Sequence, residues 1–181
     1  ISSDTRILIV DDEKINRQIL VNFFKVYGYS VTAVSSGIEA LDELDSNGGY
    51  DLIILDVMMP KMSGYDVCKS IRQRYALFEL PVLLLTVLNR PEDILLGLES
   101  GANDFLAKPF DETVLKARVD TLVKLKKAVH KALETEACFL QSQIKPHFLY
   151  NTLNTIMALC ISDAIKAREL ILDLSNFLRT S

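Results

Sequence analysis

Five short runs dense in β-branched and aliphatic residues recur through the first two thirds of the chain: "RILIV" (6–10), "VTAV" (31–34), "DLIILD" (51–56), "PVLLLT" (81–86) and "DFLAK" (104–108). Between them lie segments with apolar residues at helical spacing, such as Ile15, Ile19, Phe23 and Val26, or Val67 and Ile71. Five β–α units whose central strands are apolar throughout imply an α/β domain, with a parallel sheet covered on both faces by helices. Ligands of such sheets bind beyond the carboxyl ends of the strands, where the strand order reverses.

Past Asp111 the strand pattern stops. Leu115, Val119, Leu122, Leu125, Val129, Leu133, Ala137, Leu140 and Ile144 follow at intervals of three or four, and no glycine or proline intervenes before Pro146. One long helix is predicted. Its single apolar stripe calls for a partner, and a coiled-coil dimer contact is the expectation. The spacing is not strictly heptad, so that contact is expected to be local or adjustable. "ISDAIKA" (161–167) reads as a tight connection with Ser162 as helix N-cap. A second helix follows through Ala167, Leu170, Ile171, Leu174, Phe177 and Leu178. Two antiparallel helices joined by a short loop complete a four-helix bundle only with a second copy.

Charge divides the chain in the same place. Residues 1–122 carry 19 acidic and 12 basic side chains, whereas 123–181 carry 5 and 8. The basic cluster "KLKKAVHK" (124–131) shares its helix with the apolar series and reads as a solvated face, so no nucleic-acid partner is expected. Three cysteines, Cys68, Cys138 and Cys160, are odd in number and unpatterned, which argues for a reducing, cytoplasmic setting and against a disulfide framework or a zinc site. The longest apolar run is nine residues (80–88), too short for a bilayer, so no membrane contact is expected of this segment, although a parent protein anchored in a membrane is compatible with it. A first residue of Ile rather than Met suggests an excised fragment.

Chemistry gathers at the carboxyl ends of the predicted strands. Asp11 and Asp12 end the first, Asp56 the third, Thr86 the fourth, and Lys108, followed by Pro109, the fifth. Three carboxylates at one sheet edge repel one another unless a cation sits among them, and hard oxygen ligands in an open site suit Mg²⁺. The plainer reading makes Asp11 and Asp12 helix caps and Lys108 an ion-pair partner. Five functional groups in register on successive strands favour the site.

"ILIVDDE", "DLIILDVMMPKMSG", "LLLT" and "GANDFLAKPF" resemble the receiver domain of bacterial response regulators, over residues 4–122. The resemblance implies a flavodoxin-like (βα)5 fold with strand order 2-1-3-4-5. It implies Asp56 as the phosphate-accepting nucleophile. Asp12, Asp56 and the backbone carbonyl of Met58 would hold Mg²⁺, with Asp11 acting through water. Lys108 would neutralise phosphoryl oxygens, aimed by a cis peptide to Pro109. Thr86 would bond a phosphoryl oxygen after transfer, and Phe105 would fill the space its loop vacates. Val87 departs from the small residue usual in receivers; its amide can serve the phosphoryl group while its bulk is expected to alter access or phosphate lifetime.

A second resemblance lies beyond. "FLQSQIKPHFLYNTLNTI" (139–156) is similar to the phosphoacceptor box of sensor histidine kinases of the kind first recognised in autolysin regulation, through Gln143, Pro146, His147, Phe148, Asn151, Leu153 and Asn154. It covers about residues 137–181 and implies that His147 accepts the γ-phosphoryl group of ATP. Helical geometry puts Leu149, Leu153, Ile156 and Cys160 on one stripe, the expected core. His147, Asn151, Asn154 and Ala158 fall nearly opposite. A neutral imidazole there is a competent nucleophile. Asn151 or Asn154 is left to orient the ring or a water. Pro146 is expected either to bend the helix or to begin a new one.

Together these resemblances imply a fragment of a hybrid histidine kinase: a receiver (1–122), a connecting helix (123–142) and a dimerising phosphotransfer hairpin (143–181). The receiver would regulate His147 in cis. The expected partners are a second copy, the kinase ATPase domain and a downstream response regulator. No glycine-rich phosphate cradle occurs, so ATP would be used only through a catalytic domain outside these residues. The alternatives are a response regulator with a helical nucleic-acid-binding output, and a hairpin that only dimerises.

Overall fold

The computed structural model describes residues 5–87, 91–143 and 146–180, with side chains over 5–87, 95–136, 151–160 and 163–176. Two compact units emerge, Ile1–His130 and Lys131–Ser181. In the first, strands β1 (Arg6–Val10), β2 (Ser30–Val34), β3 (Leu52–Asp56), β4 (Val82–Thr86) and β5 (Asp104–Ala107) alternate with helices α1 (Lys14–Val26), α2 (Gly37–Asn47), α3 (Gly64–Arg72) and α4 (Pro91–Glu99). The sheet is all parallel, in the order β2-β1-β3-β4-β5. This is the flavodoxin-like arrangement, and each strand lies within a residue of its predicted run.

Strict alternation along the central strands sorts the core into two layers. Leu8, Val10, Ile53, Leu55, Val82 and Leu84 face Ala40, Leu44, Val67, Cys68 and Ile71 of α2 and α3. Ile7, Ile9, Leu52, Ile54, Leu83 and Leu85 face Leu20 and Phe24 of α1 and Leu115, Val119, Leu122 and Val123 of α5 (Glu112–Gln143). β3 and β4 are buried along their whole length, as strands covered on both faces must be. Truncating a buried leucine or isoleucine among them to alanine removes about 2–5 kcal/mol.

The predicted stripe of α1 needs correction. The core takes Leu20 and Phe24, while Ile15, Ile19 and Val26 are exposed and Phe23 is only partly buried. The helix is apolar over so much of its circumference that spacing alone admits several stripes, and the sheet selects one.

Local chemistry sets the helix ends. Ser36 and Ser63 cap α2 and α3, their side chains accepting from the N–H of Glu39 and Asp66. Glu39 reaches back to accept from the Ser35 N–H at 2.8 Å, a variation on the capping box.

In the second unit, α6 (Pro146–Ser162) and α7 (Ala164–Thr180) are separated by Asp163 alone. The cap is Asp163 and not Ser162: Asp163 Oδ1 accepts from the Lys166 N–H at 3.2 Å, while Ser162 still belongs to α6. Among the described side chains of the pair, Ile156 and Ala167 are buried, flanked by half-buried Thr152, Leu159, Leu170 and Leu174. The expected stripe is therefore corrected too. Ile156 is core, but Leu153 and Cys160 are exposed, and the Leu149 side chain lies outside the described residues. One neighbouring helix needs only one narrow face, and within the chain α7 takes the face centred on Ile156. No helix among the described residues is long and apolar enough to cross a membrane.

Candidate functional site

Residues that leave the carboxyl ends of β1, β3, β4 and β5 converge as the strand order requires. Asp11, Asp12 and Asp56 each offer an oxygen within 4.8 Å of the others. Asp11 and Asp56 are buried, whereas Asp12 faces solvent. Lys108 enters from β5 and donates to Asp56 Oδ2 at 2.9 Å and to Asp11 Oδ2 at 3.1 Å. Its peptide to Pro109 is cis. Of the plainer reading, the ion pair holds, since Lys108 bridges Asp11 and Asp56. The helix caps do not, because the N-cap of α1 is Glu13, without a side-chain cap bond, and Asp11 only accepts from the Glu13 N–H at 2.9 Å in the loop before it.

The electrostatics follow from burial. Desolvation pushes the Asp56 carboxyl above the ordinary carboxylate range; Lys108 opposes that shift and the charge of Asp11 adds to it. For Lys108, burial alone would depress the ammonium, but its hydrogen bonds to Asp56 and Asp11 outweigh it and hold its pKa above the usual lysine value. The cluster is thus rich in negative charge that one lysine only partly offsets. A divalent cation suits such a donor set: three carboxylates, one of them open to water.

The other predicted residues lie around this centre. Thr86 ends β4 and is buried. Val87 and Met58 flank the site as exposed apolar side chains, 57% and 56% accessible. The Met58 N–H donates to Asp56 Oδ1 at 3.3 Å. Phe105 of β5 is partly buried against the core, and Pro109 is exposed. In the second unit Asn151 and Asn154 are exposed on α6. Pro146 occupies the first position of α6, three residues past the end of α5, where its missing N–H costs nothing. His147 follows it in the same helix, and its side chain lies outside the described residues.

Two contributors, Asn16 and Arg17, escape a reading of motifs alone, and a third, Gly64, closes the run "DLIILDVMMPKMSG" without a role assigned to it there. Asn16 Nδ2 donates to Asp11 at 3.3 and 3.4 Å. Arg17 binds the backbone carbonyls of Asp11 and Asp12. Gly64 sits so close behind β3 that a Cβ there would stand 2.3 Å from the Asp56 carbonyl oxygen. The available signal was the position of two polar side chains in the first turn of a helix without acidic residues there.

The chain's relatives agree with this fold. The family profile of the response regulator receiver domain matches residues 7–120, and that of histidine kinase matches 135–181. The alkaline phosphatase synthesis transcriptional regulatory protein PhoP of Bacillus subtilis (strain 168) is 37% identical over 139 residues, 77% of this chain and 57% of that protein. The Francisella response regulator 1452 receiver domain is 35% identical with a TM-score of 0.61, over 66% of this chain and 97% of that one. The signal receiver domain of a signal transduction histidine kinase from Syntrophus aciditrophicus is 38% identical with a TM-score of 0.62, over 66% and 90%. The chain spans about half the length of the curated relatives it matches. It belongs to the response regulator receiver family of two-component signalling, with a histidine-kinase-family segment behind the receiver.

Proposed function

We propose that the chain is a phosphorelay segment of a hybrid histidine kinase of the autolysin-sensor type, with two phosphoryl acceptors, Asp56 and His147. The observation that carries the reading is the coexistence of the Asp11–Asp12–Asp56–Lys108 cluster with a histidine-kinase match that spans His147. Asp12, Asp56 and the Met58 carbonyl would hold Mg²⁺. Asp11 would act through water, because Asn16, Lys108 and the Glu13 amide already occupy both its oxygens. Bound there, Mg²⁺ would neutralise charge on the phosphoryl oxygens. An Asp56 oxygen attacks phosphorus in line, and the bond from phosphorus to the donor's leaving oxygen or nitrogen breaks. Lys108 faces the developing charge. Thr86 and the Val87 amide receive the transferred group, and Phe105 follows the Thr86 loop inward.

His147 would accept phosphate from a catalytic domain that binds ATP, with Asn151 or Asn154 orienting the ring. The Asp56 state would act on His147 in cis by repacking residues 111–145 rather than by direct contact. Exposed apolar residues of the second unit, among them Leu153, Met157, Ile165 and Leu172, support a homodimeric four-helix bundle. A downstream response regulator would take the phosphate onward.

The test is twofold. Acetyl phosphate with Mg²⁺ should label the wild type at Asp56 with an alkali-labile phosphate, and Asp56→Asn should abolish it. A histidine-kinase ATPase domain supplied in trans with ATP should give an acid-labile phosphate lost in His147→Gln. No label at either residue would refute the reading, and label at Asp56 alone would leave a receiver with a hairpin that only dimerises.

A further inference from the structure

Arg17 stands where helix electrostatics disfavour it. The N-terminus of a helix carries partial positive charge, so a first turn favours acids, yet that of α1 has none and includes both Lys14 and Arg17. What offsets the cost is visible in the hydrogen bonds. Nη1 of Arg17 lies 2.7 Å from the carbonyl oxygen of Asp11 and 2.9 Å from that of Asp12. One guanidinium nitrogen thus bridges two consecutive carbonyls of the loop that leaves β1. Asn16, the residue before it, donates to the Asp11 carboxylate. The first turn of α1 therefore grips the loop twice, by its side chain at Asp11 and by its backbone at Asp11 and Asp12.

We propose that Arg17 is a positioning residue for the cation site: by holding the Asp11 and Asp12 carbonyls, it fixes the direction in which the Asp12 carboxylate leaves the backbone. The inference rests on the reading of Asp11, Asp12 and Asp56 as a Mg²⁺ site. Asp12 needs such help most, because it is exposed while its two companions are buried. A free carboxylate on a free loop samples many rotamers and would lose that freedom on binding. A guanidinium suits the task because it is always charged and its Nη1 carries two N–H donors, one for each carbonyl.

Two effects of Arg17 on a bound cation have opposite signs, which makes the inference sharp. Its positive charge repels Mg²⁺, so charge alone predicts tighter binding once it is removed. Its grip preorganises the ligands, so positioning predicts weaker binding. Groups that orient metal ligands typically matter at the level of ten- to a hundredfold in affinity.

The experiment is a calorimetric Mg²⁺ titration of the full chain as wild type, Arg17→Met and Arg17→Lys, with thermal unfolding and amide hydrogen exchange measured without metal. Arg17→Met should bind Mg²⁺ roughly tenfold more weakly and exchange faster at the Asp12 and Glu13 amides, with Arg17→Lys between it and the wild type. Equal or tighter binding by Arg17→Met overturns the proposal. Should Arg17→Met fail to fold, Arg17→Lys decides: the charge is kept and the reach to the two carbonyls shortened, so weaker binding supports the grip and unchanged binding overturns it. A wild type that binds no Mg²⁺ removes the metal reading, and this proposal with it, whereas wild-type binding with an insensitive Arg17 removes the proposal alone.

Discussion

The ammonium of Lys108 sits 2.9 Å from Oδ2 of Asp56, across 52 residues of sequence, and holds Asp11 from the same position at 3.1 Å. Two buried carboxylates share one cation. Removing it as Lys108→Met should cost about 3–5 kcal/mol at neutral pH, because the carboxylates stay buried without their counter-charge. The loss should shrink in acid. Burial already raises the Asp56 pKa, and a group whose folded pKa is raised adds stability at low pH that disappears as pH climbs through the folded value. Mg²⁺ should restore more stability to this variant than to the wild type. Chemical denaturation at two pH values, with and without Mg²⁺, checks each part.

Gly64 is packed against the backbone that carries Asp56. A Cβ there would meet the Asp56 carbonyl oxygen at 2.3 Å and the Val57 Cα at 2.8 Å, both rigid neighbours. Gly64→Ala should therefore destabilise the receiver by about 1–3 kcal/mol and slow labelling of Asp56 by acetyl phosphate. Urea denaturation and the rate of labelling measure the two effects separately.

Tyr29 donates its hydroxyl to Asp120, which also accepts from Lys116 at 2.6 Å, so α5 is tied to the turn before β2. Burial, then the hydrogen bond to Asp120, raises the phenol above its ordinary value of 10.0. Its contribution is thus fully present below about pH 10 and is lost as pH rises beyond. Tyr29→Phe should cost about 1.5 kcal/mol at neutral pH and remove part of the alkaline decline. Thermal unfolding between pH 7 and pH 11 tests it.

Leu153, Met157 and Cys160 form an exposed apolar line on α6, beside the face that meets α7. If a second copy covers it, Met157→Glu should weaken the dimer by roughly tenfold or more, since an unpaired charge in an apolar seam costs at least about 1.4 kcal/mol. Sedimentation equilibrium reads this directly. A wild type that stays monomeric at micromolar concentration would exclude the dimer.

The sequence alone determined the strands, their parallel pairing and the edge at which Asp11, Asp12, Asp56, Thr86 and Lys108 assemble. Those properties follow from local periodicity and from the rule that α/β sheets present their functional groups at the carboxyl ends of the strands. Tertiary structure alone decided among local alternatives: Leu20 and Phe24 over Ile15 and Ile19 as the core face of α1, Asp163 over Ser162 as cap, and Ile156 over Leu153 and Cys160 inside the hairpin. It also revealed the hold of Arg17 on the Asp11–Asp12 loop. The physical reason is the same in each case. A spacing or residue type permits several contacts of similar local energy, and the choice among them depends on which surface, carbonyl or helix end arrives from elsewhere in the chain.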